Sequence, residues 1–276
     1  IAARLAGISR RVVALTGLGF IGAGQGRLAQ IARIGVRLAI RWLVDGPRTR
    51  FLFENRSDPR LLGLDPDATR KVTIVGGAGV DPEALRPAPL PPMPPLKVAL
   101  VARMLWSKGV DVAVDAVRQA RRRGGAVELS LYGAPDPSNP KAVPESTLQA
   151  WSREPGIRWH GPTRDVAGVW AQHHLALLPS RGGEGLPRTI LEAAACGRGI
   201  LTTDVPGCAD FVRDGVEGRV LANGEADPFA TALCDLAADP QAVIRMGESA
   251  RSRVLAGYTE AAVGQAVAAL YRDMLA

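Results

Sequence analysis

The stretch P-S-R-G-G-E-G-L-P-R-T-I-L-E-A-A-A-C-G-R-G-I-L-T-T-D-V-P-G-C-A-D, residues 179–210, decides how this chain folds. Just before it, His174 to Leu178 (H-L-A-L-L) is an apolar run of the length of a buried strand. A glycine-rich turn follows, and then Pro187, a residue suited to the first position of a helix. Thr189 to Cys196 predicts a helix, Gly197 its end, and Gly199 to Thr203 the next strand. Strand, loop, helix and strand in that order make one unit of a parallel sheet. The loop lies at the carboxyl end of its strand, where such sheets bind ligands.

Backbone amides at the start of a helix lack partners and carry partial positive charge, so they favour an anion. Gly182, Gly183 and Gly185 let that backbone approach a diphosphate closely. Glu184 sits among the glycines, and Glu192 lies just over one turn past Pro187. A carboxylate beside a phosphate repels it, so Glu184 is better suited to accept hydrogen bonds from hydroxyls. Amides for phosphate flanked by acids for hydroxyls describe a nucleotide-sugar site. A bare pair of glutamates at this spacing also fits an exposed loop and a solvated helix face, since exposed acids are common.

The residues between them narrow the choice. Glu184 to Arg198 resembles the donor site of glycosyltransferase family 4, whose signature is two glutamates with seven residues between them within E-G-L-P-R-x-x-x-E-A-x-A-C-G-R. Thr202 to Cys208 (T-T-D-V-P-G-C) matches as well. These are retaining enzymes of the glycosyltransferase B fold. The resemblance implies an α/β architecture of two Rossmann-like domains. It implies that Glu184 holds donor-sugar hydroxyls and Glu192 the ribose hydroxyls, with Gly183, Gly185, Leu186, Arg188 and Thr189 completing the nucleotide-binding stretch. Arg181 departs from the pattern where many relatives carry an aromatic residue, and Gly199 stands where proline is common.

Working outward, the loop Val101 to Val110 (V-A-R-M-L-W-S-K-G-V) follows another predicted strand, Lys97 to Ala102. Arg103 and Lys108 match the family's basic pair on the donor diphosphate. Chemistry asks for such a pair, because breaking a sugar–phosphate bond leaves growing negative charge on the departing diphosphate. No acidic pair with metal spacing is evident, so no metal and no cofactor are expected. Gly161, at a further strand end, is expected to border the nucleobase through its backbone. The pattern between Lys97 and Leu221 alternates strands and helices, which predicts a parallel sheet covered on both faces. Tyr132 to Trp151 resembles an insert of members that build bacterial surface polysaccharide on lipid-linked acceptors. His160, His173 and His174 read as structural, and no Ser, Cys or Asp completes a triad with them. Cys196 reads as core.

Upstream, Arg11 to Thr16, Arg50 to Phe53 and Lys71 to Val75 are three strand candidates. Gly17 to Gly22 has G-x-G-x-x-G spacing, but no acid follows at the distance a dinucleotide site needs. T-G-L-G-F (Thr16 to Phe20) and the G-V-D of Gly79 to Asp81 instead resemble late parts of the amino-terminal domain in the same family. Gly26 to Val44 is a long helical pattern. Arg27, Arg33, Arg37 and Arg41 fall within about a third of its circumference, and most of the remainder is apolar. That fits an interfacial membrane helix and equally a core helix with a solvated arginine face. Prolines at 82, 87, 89, 91, 92, 94 and 95 form a stiff connector. The expected organisation is a partial acceptor-side domain over 1–80, a linker over 81–96, a donor domain over 97–260, and a terminal helix over 261–276 packing back on the first domain.

Fewer residues precede the linker than the roughly 100 to 150 of a complete doubly wound half. Ile1 to Gly7 also reads like a helix already under way, so the amino-terminal domain is expected to be incomplete. Three unevenly spaced cysteines fit neither zinc nor a disulfide framework, and no signal peptide or membrane span is evident. A cytoplasmic protein is expected, at the inner face of the plasma membrane if the basic helix meets lipid. The net charge of +7 calls for anionic partners, and with no nucleic-acid motif those are phosphorylated ligands or lipid. The expected reaction moves a hexose or N-acetylhexosamine from a nucleotide diphosphate sugar, with uridine as the base, to a lipid-diphosphate-linked saccharide. An epimerase of the same fold and a non-catalytic binding fragment are the alternatives.

Overall fold

The computed structural model describes residues 2–19 and 26–276. Gly22 and Gly24 of the early glycine-rich segment lie outside the described residues. After a short helix, α1 (Ala2–Leu5), the chain forms β1 (Arg11–Leu15), α2 (Arg27–Ala39) continued by a π turn (Ile40–Val44), β2 (Thr49–Phe53), α3 (Ser57–Leu61) and β3 (Val72–Ile74). These three strands pair in parallel, in the order β1-β2-β3.

The second part runs β4 (Leu96–Val101), α4 (Val110–Arg122), β5 (Val127–Tyr132), α5 (Glu145–Trp151), β6 (Ile157–Trp159), α6 (Val166–Ala171) and β7 (Leu175–Leu178). It continues with α7 (Arg188–Ala195), β8 (Gly199–Thr203), α8 (Cys208–Phe211), β9 (Gly218–Leu221), α9 (Ala226–Ala238), α10 (Pro240–Gly257) and α11 (Glu260–Leu275). Its sheet is wholly parallel, ordered β6-β5-β4-β7-β8-β9. Every residue of β7 and β8 is buried, as expected of strands packed on both faces. One face carries α4 and α9, whose Val114, Val117, Phe229 and Leu233 join Leu100, Leu129 and Leu177 in one core. The other face carries α7 and α10, packing Ile190, Leu191 and Val254 against Ala99, Ala176 and Ile200.

The strand order fixes where a ligand fits. From β4 the chain steps outward through β5 and β6, then returns to the other side of β4 and steps outward through β7, β8 and β9. The order therefore reverses between β4 and β7, and the crevice beyond their carboxyl ends is the switch point of the sheet.

Two strips of chain join the sheets. Val80 pairs with Thr259: its N–H donates to Tyr258 O at 3.1 Å, and Glu260 N–H donates to its carbonyl at 3.0 Å. Beyond that crossing α11 lies on the small sheet, burying Leu270 with Leu52 and Val75 while Val263 and Val267 pack alongside. The proline-rich connector is fixed by side chains from the large sheet. Buried Arg198 donates to Ala88 O at 2.9 Å and to Trp170 O at 2.7 Å, and Arg251 reaches Leu85 O and Pro82 O. His174 accepts from Lys97 N–H through Nδ1 and donates from Nε2 to Pro91 O, both at 2.9 Å, which fixes its neutral tautomer.

The exposed side of α2 is unusual. Leu28, Ile31, Ile34, Leu38, Trp42 and Leu43 are among the exposed large apolar residues, with Leu28 80% exposed. Arg27, Arg37 and Arg41 are exposed beside them. The opposite side of the helix packs on the small-sheet core, with Ile40 buried and Val36 and Val44 alongside, so the helix carries an inward apolar side and an outward apolar side. Among the described residues no helix is long and apolar enough to cross a membrane.

His173 gives the fold a pH dependence. Its Nδ1–H donates to Val169 O at 2.7 Å, and burial lowers its pKa from 6.5 to about 4. The unfolded chain therefore takes up the extra proton first as pH falls. Stability that is complete above pH 6.5 drains away toward pH 4, by about 3 kcal/mol from this group. Denaturant titrations across that window will show a steeper loss for the parent chain than for His173→Gln.

Candidate functional site

Both loops at the switch point carry charged side chains, and the structure brings these together. After β4 the chain turns through a 3-10 segment, Trp106–Lys108, and after β7 it enters the glycine-rich loop. Lys108 Nζ lies 2.5 Å from Glu184 Oε2, with side chains 17% and 14% exposed. Ser180 Oγ donates to the other carboxylate oxygen, Oε1, at 2.7 Å. A cavity of about 340 Å³ opens beside them, lined also by Arg103, Gly183, Asn139 and, from the small sheet's side, Gly19. Arg103 is 65% exposed and paired with Asp136 at 3.4 Å. A second cavity, about 480 Å³, continues past Arg103 between Tyr132, Asp136 and Pro162. Gly161 itself does not line it; its carbonyl accepts from Gly133 N–H at 2.8 Å, while the next two residues do line it.

Close approach explains the glycines. A Cβ on Gly185 would fall 2.1 Å from Glu54 Oε2, and one on Gly207 would fall 1.5 Å from Gly185 O. The loop is thus squeezed between the end of β2 and the start of α8, and only glycine fits on either side. Leu186 N–H donates to Glu54 Oε2 at 3.0 Å, so that amide faces the small sheet. The amides of Arg188 and Thr189 stand in the first turn of α7, where a helix has no carbonyl of its own to satisfy them. Thr189 Oγ1 is buried without a hydrogen-bond partner.

Glu192 is placed differently from Glu184. It lies in α7 with its carboxylate on Arg188 Nε at 2.9 Å, and it is not in the wall of the cavity that Glu184 lines. Burial raises its pKa, and Arg188 only partly offsets this. The sequence places both glutamates on one segment; the structure turns them toward different surroundings.

Several residues organise the site without a role assigned to them from the sequence. Arg181 makes a two-pronged ion pair with Asp111, both contacts 2.7 Å, and also donates to Trp106 O. It ties the loop after β7 to the start of α4, which accounts for an arginine at a position often aromatic in the resembling family. Ser180, Glu54 and Asn55 carry no motif; the only pointer is their place at strand ends. Cys196 is buried and its thiol is pushed up to about 11, which suits packing and not nucleophilic attack.

Because Lys108 and Glu184 are mostly out of water, removing one strands the other. Lys108→Met is expected to cost about 1–3 kcal/mol in chemical denaturation. Adding Glu184→Gln should recover part of it, since no charge is then left unpaired; a strictly additive loss would mean the pair contributes nothing.

Residues 95–239 match the family described as glycosyl transferases group 1. The chain is 26% identical over 167 residues to the amylovoran biosynthesis glycosyltransferase AmsK of Erwinia amylovora, covering 58% of this chain and 40% of that one. It is 24% identical over 287 residues to the N,N'-diacetylbacillosaminyl-diphospho-undecaprenol alpha-1,3-N-acetylgalactosaminyltransferase of Campylobacter jejuni, covering 98% and 72%. Among solved structures it resembles Anabaena Alr3699/HepE in complex with UDP-glucose, with a TM-score of 0.77, 17% identity, and 98% and 75% of the two chains covered. That likeness is one of fold. The chain spans less than half the length of the first curated relatives it matches.

Proposed function

We propose that this chain, which belongs to the group 1 glycosyl transferases and has the glycosyltransferase B fold, transfers a hexose or N-acetylhexosamine, with retention, from a uridine diphosphate sugar to a lipid-linked saccharide. The observation that carries this reading is the Lys108–Glu184 pair beside Arg103 at the point where the strand order reverses. Cations there meet the charge that grows on a departing diphosphate. The first-turn amides of α7 supply further donors without a metal ion. As the diphosphate draws Lys108 to itself, the Glu184 carboxylate becomes free to accept hydrogen bonds from the sugar. Tyr132, Pro162 and Thr163 offer a half-open surface for the base beyond Arg103.

Glu192 serves the ribose hydroxyls in this scheme, which requires its ion pair with Arg188 to be exchanged for them. The acceptor is a saccharide on a lipid diphosphate, in keeping with the acceptor named for the Campylobacter relative. Titrating UDP into the chain, and following donor consumption with and without a bacterial lipid extract, tests the reading directly. Tight UDP binding with lipid-dependent turnover supports it; turnover indifferent to lipid points to an epimerase or a hydrolase, and binding without turnover to a binding fragment. Glu192→Ala is expected to weaken UDP binding about 10-fold, while Glu184→Ala leaves UDP binding within about 2-fold and lowers turnover about 100-fold. Equal effects of the two on affinity would remove the distinction.

The apolar and basic side of α2 supports a further part of this proposal, that the chain works at the inner face of the plasma membrane. Leu28, Ile31, Leu38 and Trp42 enter the lipid boundary while Arg27 and Arg41 meet anionic headgroups. The chain should co-sediment with phosphatidylglycerol vesicles, and much less with phosphatidylcholine or in high salt. Ile31→Asp with Leu38→Asp should abolish the binding without altering UDP affinity.

A further inference from the structure

The loop bearing Glu184 belongs to the large sheet, yet its backbone is held from the small one. Gly19 N–H donates to Gly183 O at 3.0 Å, and Asn55 Nδ2 donates to Gly185 O at 3.4 Å. Leu186 N–H donates to Glu54 Oε2 at 3.0 Å. A fourth bond runs beside them, from Arg56 N–H to Asp210 Oδ2 at 2.6 Å, and ties the same strand end to α8. The carbonyls on both sides of Glu184 are therefore fixed by groups from the small sheet.

Asn55 is a stiff mount. It is 1% exposed, its Oδ1 accepts from the N–H groups of Ser57 and Asp58, and its Nδ2 also donates to Asp58 Oδ2. With each end of the amide occupied, it has no alternative rotamer that keeps these bonds. Glu54 is half-buried, and its carboxyl pKa is raised above the usual range by that burial, which the Leu186 N–H opposes and Asp58 reinforces. Neither residue lines the cavity that Glu184 lines.

We infer that Glu54 and Asn55, at the end of β2, are positioning residues for Glu184: they clamp Gly185 and Leu186, which follow it, so that the carboxylate meets Lys108 only while the two sheets are engaged. The inference rests on the proposed transfer reaction for its catalytic meaning, but the clamp itself is independent of any donor. Holding a reacting group in place governs turnover steeply, since a displacement of about 1 Å can lower a rate about 100-fold.

The test compares Glu54→Ala with Glu54→Gln in the full chain. The first removes the acceptor of the Leu186 N–H; the second keeps an amide oxygen able to accept it. Without ligand, hydrogen exchange of the peptide spanning residues 183–186 should quicken about 5-fold in Glu54→Ala and stay at the parent rate in Glu54→Gln. With a UDP-sugar and lipid extract, Glu54→Ala should lower kcat about 10-fold or more with KM within about 2-fold, and Glu54→Gln should restore most of it. Parental exchange in Glu54→Ala, a uniform rise in exchange over the whole chain, or equal impairment of both variants overturns the clamp. Failure of the parent chain to bind UDP overturns the proposed reaction instead, and the exchange comparison still decides the clamp.

Discussion

The carbonyl of Gly185 occupies the space where any side chain on residue 207 would begin. That single close approach sets the rest of the site. It presses the loop after β7 against the start of α8 on one side, and it leaves room on the other for Glu54 and Thr16 from the small sheet. Alanine at residue 207 would meet backbone alone, and alanine at residue 185 would meet both the Glu54 carboxylate and the Thr16 backbone. The loop conformation is therefore imposed by contact with both sheets and not chosen by the loop's own turn preferences. Glu184, at its centre, inherits its position from that double contact.

Electrostatics then follow from geometry. Lys108 arrives from β4 and Glu184 from β7, two strands adjacent in space but far apart in sequence. Without a ligand they satisfy each other at a site largely removed from water. An ion pair in such a place is a poor source of net stability, because desolvation offsets much of the attraction. Its value lies in being exchangeable. In the proposed transfer a diphosphate takes Lys108 and sugar hydroxyls take Glu184, so one incoming molecule replaces both halves of the pair without leaving a charge stranded.

Much of this was legible in the residues. Apolar runs placed β7 and β8 within a residue of their bounds, since strands buried on both faces are apolar throughout. The motif from Glu184 to Arg198 located the loop, and the strand before Arg103 and Lys108 located its cationic neighbour. What the sequence withheld was side-chain direction. Glu192 sits on the same segment as Glu184 but faces Arg188, because a helix turns its side chains about its axis and the preceding loop does not follow that rule. Glu54 and Asn55 were invisible for another reason. Each acts across more than a hundred residues, and no local pattern of hydrophobicity or turn chemistry encodes a contact at that range.

The two sheets therefore divide the labour unequally. The large one supplies nearly every charged group of the site, which is why the family resemblance concentrates there. The small one supplies hydrogen bonds to backbone, from Gly19, Glu54 and Asn55, that leave no signature in a motif. α11 secures that arrangement mechanically: it leaves the large sheet at Tyr258, pairs with Val80 on the way, and lies down on β2 through Leu270. The strand that carries Glu54 and Asn55 is thus held from behind by the last helix and in front by the glycine-rich loop. β2 is tied to α11 by Leu270 against Leu52 and by the Arg50–Asp273 ion pair, and to the Glu184 loop by Glu54 and Asn55.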